Sequence, residues 1–145
     1  MLVIVLSCDE NLIYEENIAT EDNTWKYEDI KTFEFDIEDT VSAINLYVNL
    51  RTTTDYPYSN IYMYLYSKYP TGESMKDTLE FILAEPDGRW LGENSGTIVE
   101  FQSLISTGGR FGKAGRYVFQ LQHAMTENEL EEIVDVGMRV EKIAQ

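Results

Sequence analysis

The chain has 145 residues, of which 43% are hydrophobic, and this is enough for one domain with a sizeable core but too little for two domains with a linker. Its 26 acidic residues against 11 lysines and arginines give a formal net charge of −15, which repels phosphate backbones and argues against a nucleic-acid partner. The single cysteine, Cys8, excludes an intrachain disulfide and a cysteine-based zinc site, and the single histidine, His123, leaves little material for metal chemistry or a catalytic triad.

The chain starts with an apolar, uncharged run over residues 1–7 that ends in a small residue directly before Cys8. Polar residues follow at once. This order is typical of a bacterial lipoprotein signal, and Val5-Leu6-Ser7-Cys8 resembles its lipobox. We therefore predict that residues 1–7 are the remnant of a signal peptide, that Cys8 is acylated, and that the lipid anchor holds the protein on a membrane. The alternative is a short first strand with a buried, unreactive cysteine.

Acidic residues are concentrated in the first quarter of the chain, where residues 1–40 hold twelve of them against two lysines. On the lipoprotein interpretation, residues 8–24 form a flexible acidic tether with a root-mean-square length of about 22 Å. The apolar run at 12–14 leaves room for part of the tether to dock on the body. Residues 25–145 are predicted to be a single domain.

The body alternates apolar and polar residues with a period of two, which is the pattern of half-buried β-strands. Segments of this kind cover 33–37, 44–50, 58–69, 79–83, 98–105, 117–121 and 134–140. Turn residues separate them, including Glu85-Pro86-Asp87-Gly88, where glycine suits a left-handed position. Residues 126–132 have the spacing of a helical capping box and predict one helical turn. The pattern as a whole predicts an all-β protein, an antiparallel β-sandwich of immunoglobulin-like or jelly-roll type with a flexible acidic N-terminal arm.

The segment 58–69 is unusual because both of its faces are apolar. Aliphatic residues occupy its odd positions, whereas its even positions carry four phenols, which we call the tyrosine stripe: Tyr58, Tyr62, Tyr64 and Tyr66. The stripe either packs against the arm or the second sheet, or it is exposed and binds a partner. Tyrosine suits protein interfaces and sugar stacking alike, so a saccharide platform that also uses Trp25 and Trp90 is the alternative.

Catalytic signals are weak. His123 is expected to be a half-buried histidine at a strand end, because no nucleophile or zinc-binding motif lies near it in the sequence. Four carboxylates cluster around one predicted hairpin, at Asp77, Glu80, Glu85 and Asp87, but solvated turn residues explain them better than a calcium site or a glycosidase pair. We predict no catalytic residue, metal site, cofactor or small-molecule substrate.

The sequence resembles the gliding-motility lipoprotein family GldH of the Bacteroidetes. The resemblance rests on Ser7-Cys8-Asp9, Leu50-Arg51, 55–62, 70–72, 77–80, 83–92, 115–117, 122–125 and 135–142. It implies an outer-membrane lipoprotein, palmitoylated at its anchor, that faces the periplasm or the cell surface and has no known catalytic activity. The implied partners are envelope proteins of a gliding apparatus linked to type IX secretion.

The preferred hypothesis is thus a lipid-anchored β-sandwich that binds protein partners. Its predicted contact residues are Arg51, the tyrosine stripe and Trp90, with Arg51 paired to Asp55 or Asp77 or stacked on a tyrosine ring. A carbohydrate-binding module of the envelope is the second hypothesis, and a hydrolase that uses two loop carboxylates is the third.

Overall fold

The computed structural model describes residues 10–144, and in that part of the chain every regular element is a β-strand. Eleven strands follow one another: β1 Leu12–Ala19, β2 Thr24–Lys26, β3 Lys31–Ile37, β4 Ile44–Thr53, β5 Asn60–Lys68, β6 Ser74–Ile82, β7 Glu93–Ser95, β8 Ile98–Gly109, β9 Gly115–His123, β10 Glu129–Glu131 and β11 Ile133–Lys142. No helix in this part is long and apolar enough to cross a bilayer.

The strands form two antiparallel sheets and a short ribbon. The five-stranded sheet has the order β1-β11-β4-β8-β7, the four-stranded sheet has the order β3-β9-β5-β6, and β2 pairs with β10. Alternate residues of the longer strands face the other sheet, as in Phe33, Phe35 and Ile37 of β3, which are all buried. The predicted antiparallel sandwich is confirmed, and its seven predicted strands correspond to β3, β4, β5, β6, β8, β9 and β11.

Aromatic rings join the two sheets at one end of the sandwich. Phe35 of β3 stacks on Tyr14 of β1 with ring centroids 4.6 Å apart, and on Phe119 at 5.7 Å. Phe111, in the loop between β8 and β9, lies 4.7 Å from Tyr117. Because Tyr14 belongs to the other sheet, this cluster fixes β1 against the body.

The acidic tether predicted over residues 8–24 is wrong for residues 12–19. These residues form β1, which pairs with β11 from Leu12 opposite Glu141 to Ala19 opposite Asp135. The sequence pattern missed the strand because β1 is an edge strand, whose outward residues are polar and whose alternation is weak. Cys8 and residues 1–7 lie outside the described residues, so the predicted acylation site stays a prediction.

The helical turn predicted over residues 126–132 is also wrong. Glu129–Glu131 form β10, and Leu130 lies opposite Trp25 in β2 with only 1% of its surface exposed. Burial of these two side chains against the core outweighs the local capping preference. The predicted turn at 85–88 behaves as expected, since Gly88 has a φ of +90° in the left-handed region.

Candidate interaction surface

The tyrosine stripe lies mostly on the outer face of the four-stranded sheet. Tyr62, Tyr64 and Tyr66 alternate along β5 with Ile61, Met63 and Leu65, which are buried in the core. Tyr62 is 39% exposed, and the other two rings are half-buried. The stripe therefore packs neither on the second sheet nor on the N-terminal segment that the structure describes.

Neighbouring strands hold the rings in place. Lys76 of β6 places its Nζ 4.0 Å above the ring of Tyr64 and 5.5 Å from that of Tyr66. The Tyr66 hydroxyl donates to Gln122 Oε1 at 2.8 Å, and the Gln122 amide donates in turn to the carbonyl of Tyr27. The result is a pre-organised surface of phenols, amides and one cation.

Tyr58 precedes β5 and lies at the adjoining end of the sandwich. Its hydroxyl donates to Glu127 Oε2 at 2.5 Å, and its ring makes an edge contact with the buried ring of Tyr56 at 5.7 Å. The hydrogen bond to Glu127 raises the pKa of Tyr58, as a hydrogen bond to Glu80 raises the pKa of Tyr62. Both phenols stay protonated at neutral pH, so these two rings offer hydroxyl groups and add no negative charge.

Arg51 does not join the stripe. It lies on the outer face of β4 in the five-stranded sheet, opposite Asp135 of β11, and its Nε donates to Asp135 Oδ2 at 2.7 Å. The predicted pairing with Asp55 or Asp77, or stacking on a tyrosine, is wrong because cross-strand register sets the partner. The Asp135 side chain is only 6% exposed, and the hydrogen bond to this carboxylate raises the pKa of Arg51.

A polar groove of about 770 Å³ runs over this second outer face. Its floor is an amide network in which Asn49 donates to Glu15 and Asn17 and accepts from Gln102, with distances of 2.9 to 3.0 Å. Asn17 fits there because β11 has Gly137 beneath it. Sequence reasoning missed the groove, although a glycine inside a strand is a signal of close approach.

The two tryptophans do not form a saccharide platform. Trp25 is fully buried, and its indole N–H donates to the Asp29 carbonyl at 2.8 Å. Trp90 is half-buried and packs edge-on against Phe101 with centroids 6.4 Å apart. The carbohydrate hypothesis is wrong for Trp25, because a ring without exposed surface cannot stack on a sugar.

His123 is completely buried, where the sequence predicted half-burial. Its Nε2 lies 3.1 Å from the Asn128 carbonyl, and its Nδ1 accepts the Met125 N–H at 3.3 Å. A neutral ring that is protonated at Nε2 satisfies both contacts. Burial lowers the pKa of His123, against the opposing effect of the Asn128 carbonyl, so the folded protein holds a neutral imidazole.

We expect this buried imidazole to make stability depend on pH. The unfolded chain takes up a proton below about pH 6.5, whereas the folded chain resists it. The contribution of His123 to the free energy of unfolding is then complete above about pH 6.5 and decreases as the pH falls from there toward the lower pKa of the folded chain. Urea titrations across this range should show the decrease in the native chain and a flatter profile in His123→Gln. An equal slope in both proteins would assign the effect to other groups.

Three of the four carboxylates predicted around the β6 hairpin have structural partners. Glu80 accepts from Asn60 at 2.9 Å, Glu85 lies 3.8 Å from Arg89, and Asp87 caps the Arg89 N–H at 3.0 Å. Within residues 10–144, no group of three or more His, Cys, Asp or Glu side chains is placed to hold a metal ion.

Comparison with known proteins finds matches to one protein family. The family model described as GldH lipoprotein matches residues 12–140. A relative described as "Gliding motility lipoprotein GldH homolog" from Christiangramia forsetii is 33% identical over 97% of this chain and 90% of its own. A second relative, "Gliding motility lipoprotein GldH" from Flavobacterium johnsoniae, is 29% identical over 97% of this chain and 91% of its own.

Among solved structures, a similar chain is that of the infectious bursal disease virus VP2 subviral particle. The two chains are 12% identical in sequence, and their superposition has a TM-score of 0.42. It covers 97% of this chain and 36% of the viral chain. The match is too distant to support an argument.

Proposed function

Because this chain belongs to the GldH lipoprotein family, we propose that it is an outer-membrane lipoprotein, acylated on Cys8, that binds protein components of the gliding and type IX secretion apparatus. A lipoprotein of this family is a membrane-anchored protein of the cell envelope. We propose in addition that the membrane is the outer membrane, that the acylated residue is Cys8, and that the protein works by binding components of this apparatus.

The observation that supports protein binding is the tyrosine stripe, which lies mostly on the outer face of the four-stranded sheet with Tyr58 and Tyr62 exposed. Tyrosine rings are enriched at protein interfaces because they combine large contact area with few rotatable bonds. Here Lys76 and Gln122 already hold Tyr64 and Tyr66, so a partner would order few side chains on binding. Exposure of Tyr62 at 39% leaves ring surface for that contact.

We also propose that the protein acts by binding and not by catalysis. Its histidine is enclosed in the core, and the buried carboxylate of Asp135 is paired with Arg51. These groups have the partners expected of a scaffold: the imidazole bonds to backbone atoms, and the Asp135 carboxylate, which lines the polar groove, is neutralised by Arg51.

Replacing Tyr62 and Tyr64 together by alanine should reduce partner capture about tenfold, since interface tyrosines are frequent hot spots. Crosslinking in native membranes, followed by quantification of the captured proteins, measures this. The thermal midpoint should fall by only a few degrees, because the rings lie outside the core. A matched control is Tyr47→Ala with Leu104→Ala, a cross-strand pair on the opposite outer face. Equal capture by both double variants would contradict the proposal.

Acylation of Cys8 has its own test. The intact mass of protein purified from native membranes should correspond to residues 8–145 with acyl chains, whereas Cys8→Ser should leave the membrane fraction. A mature mass that retains residues 1–7 and a free thiol would contradict the anchor.

A further inference from the structure

We propose that one end of the sandwich, which we call the proximal end, docks on the surface of a bilayer that contains anionic lipid. It consists of the turn 38–43, the turn 69–73, the loop 110–114 and the segment at 10–11. The inference rests on the proposed anchor at Cys8 and adds the orientation of the domain and the surface that touches the lipid.

The distance between anchor and sheet is short. The carbonyl of Asn11 accepts the Lys142 N–H at 2.7 Å, and Leu12 is already paired with Glu141. Only three residues separate Cys8 from Leu12, so their Cα atoms are at most about 14 Å apart. A tether of this length cannot lift the domain clear of the headgroups or let it turn freely.

Hydrogen bonds connect the loops that share this end. The Ile143 N–H donates to the Ala43 carbonyl at 2.9 Å, and Arg110 Nε donates to the Val41 carbonyl at 2.8 Å. The turn 69–73 lies beside them, since a Cβ built on Gly115 would come within 2.9 Å of Pro70. The loops therefore form one surface around the start of β1.

Val41 projects from this surface. It is 79% exposed, the highest value among the exposed large hydrophobic residues of the described chain. The carboxylate of Asp39 accepts the backbone N–H groups of Val41 and Ser42, each at 2.9 Å, and so holds the turn in shape. An apolar side chain held outward near the anchor suits insertion at the headgroup level.

The charge distribution favours the same orientation. None of the 26 acidic residues lies between positions 101 and 126, a segment that contains Arg110 and Lys113. Both cations are exposed, and neither forms an ion pair within residues 10–144. The segments of this end carry Arg110 and Lys113 against Glu10, Glu38, Asp39 and Glu73. Two cations at the adjoining strand ends, Lys68 of β5 and Lys142 of β11, bring the total to four of each sign.

Because the rest of the molecule carries most of the net negative charge, an anionic bilayer repels its other surfaces more strongly than it repels the proximal end. The exposed loop 110–114, which has two cations and no carboxylate, supplies the attraction.

The test uses the acylated full-length protein in vesicles of phosphatidylcholine with phosphatidylglycerol. An environment-sensitive fluorophore is attached to one introduced thiol, at Ala114→Cys on the proximal end or at Thr126→Cys beyond the other end of β9. Acylated Cys8 does not react, and the two positions are separated by a strand of about 25–30 Å. We expect lipids with a headgroup nitroxide to quench the label at 114 several-fold more than the label at 126.

Charge variants test the electrostatic part. Arg110→Gln with Lys113→Gln should lower the ratio of docked to undocked protein about fivefold for each cation removed. Arg89→Gln with Lys26→Gln makes the same change in net charge elsewhere and should leave the quenching unchanged. In the native protein, the label at 114 should be quenched less in vesicles of phosphatidylcholine alone than in vesicles that also contain phosphatidylglycerol.

The outcomes separate this inference from the anchor. If the mass shows acylation but both labels are quenched equally, the proximal end does not dock and the inference is overturned while the anchor stands. Unchanged quenching in the double glutamine variant would overturn the role of charge. A chain without acyl groups would overturn the proposed anchor itself.

Discussion

Trp25→Ala should lower the free energy of unfolding by about 3–5 kcal/mol, the range for removing a fully buried aromatic side chain. The indole touches His123 edge-on at 5.6 Å and lies opposite Leu130 of β10. Its loss leaves a cavity and an unpaired Asp29 carbonyl. Urea titration followed by circular dichroism measures the change. Since domains of this size are stable by only about 5–15 kcal/mol, the variant should be close to unfolding at physiological temperature.

Trp90→Ala is the matched control for this experiment. The same atoms are removed, but Trp90 is half-buried in a surface hairpin, so we expect a loss of about 1–2 kcal/mol. Comparable losses at the two positions would show that Trp25 does not have the packing role described above.

Gly137→Ala should destabilise the protein by about 2–3 kcal/mol and detach β1 from β11. A Cβ at this position would overlap Asn17 Oδ1 and would lie 2.6 Å from the Glu16 carbonyl oxygen. The first clash can be relieved by a rotation of Asn17, but the second is with backbone and requires β1 to move. Hydrogen exchange of the β1 amides, together with urea titration, measures both effects.

Two further variants make this prediction specific. Asn17→Ala combined with Gly137→Ala should recover only part of the stability, because the contact with the Glu16 carbonyl remains. Gly112→Ala should be nearly neutral, since a Cβ added there would meet no atom within 4 Å. If the double variant recovered all of the lost stability, the destabilisation by Gly137→Ala would come entirely from the clash with the side chain of Asn17.

Detachment of β1 has a consequence for docking. β1 connects the proposed anchor to the sandwich, so its release adds eight residues to the tether. On our proposals, Gly137→Ala should therefore also reduce quenching of the label at position 114. The tyrosine stripe extends away from the proximal end toward Tyr58, which leaves that side of the protein open to partners.

The fold class could be read from the chain alone, because alternation along a strand is a local property of the sequence. Phe33, Phe35 and Ile37 show it, and so does β5, where aliphatic and phenolic residues alternate. The same alternation placed the tyrosine rings on the face opposite the core. The family resemblance was also readable, since runs such as 83–92 are specific.

Which residues meet depends on how the strands assemble. Arg51 pairs with Asp135, 84 positions away, because β4 and β11 are neighbours, and no spacing in the sequence encodes that order. Pairing of β2 with β10 places Trp25 in the core and makes residues 129–131 a strand. β1 was hidden because its outward face is polar and because it pairs with a strand that is more than a hundred residues distant. Long-range pairing is a property of the assembled sheet, and so the position of the first strand, which shortens the proposed tether, emerged only with the fold.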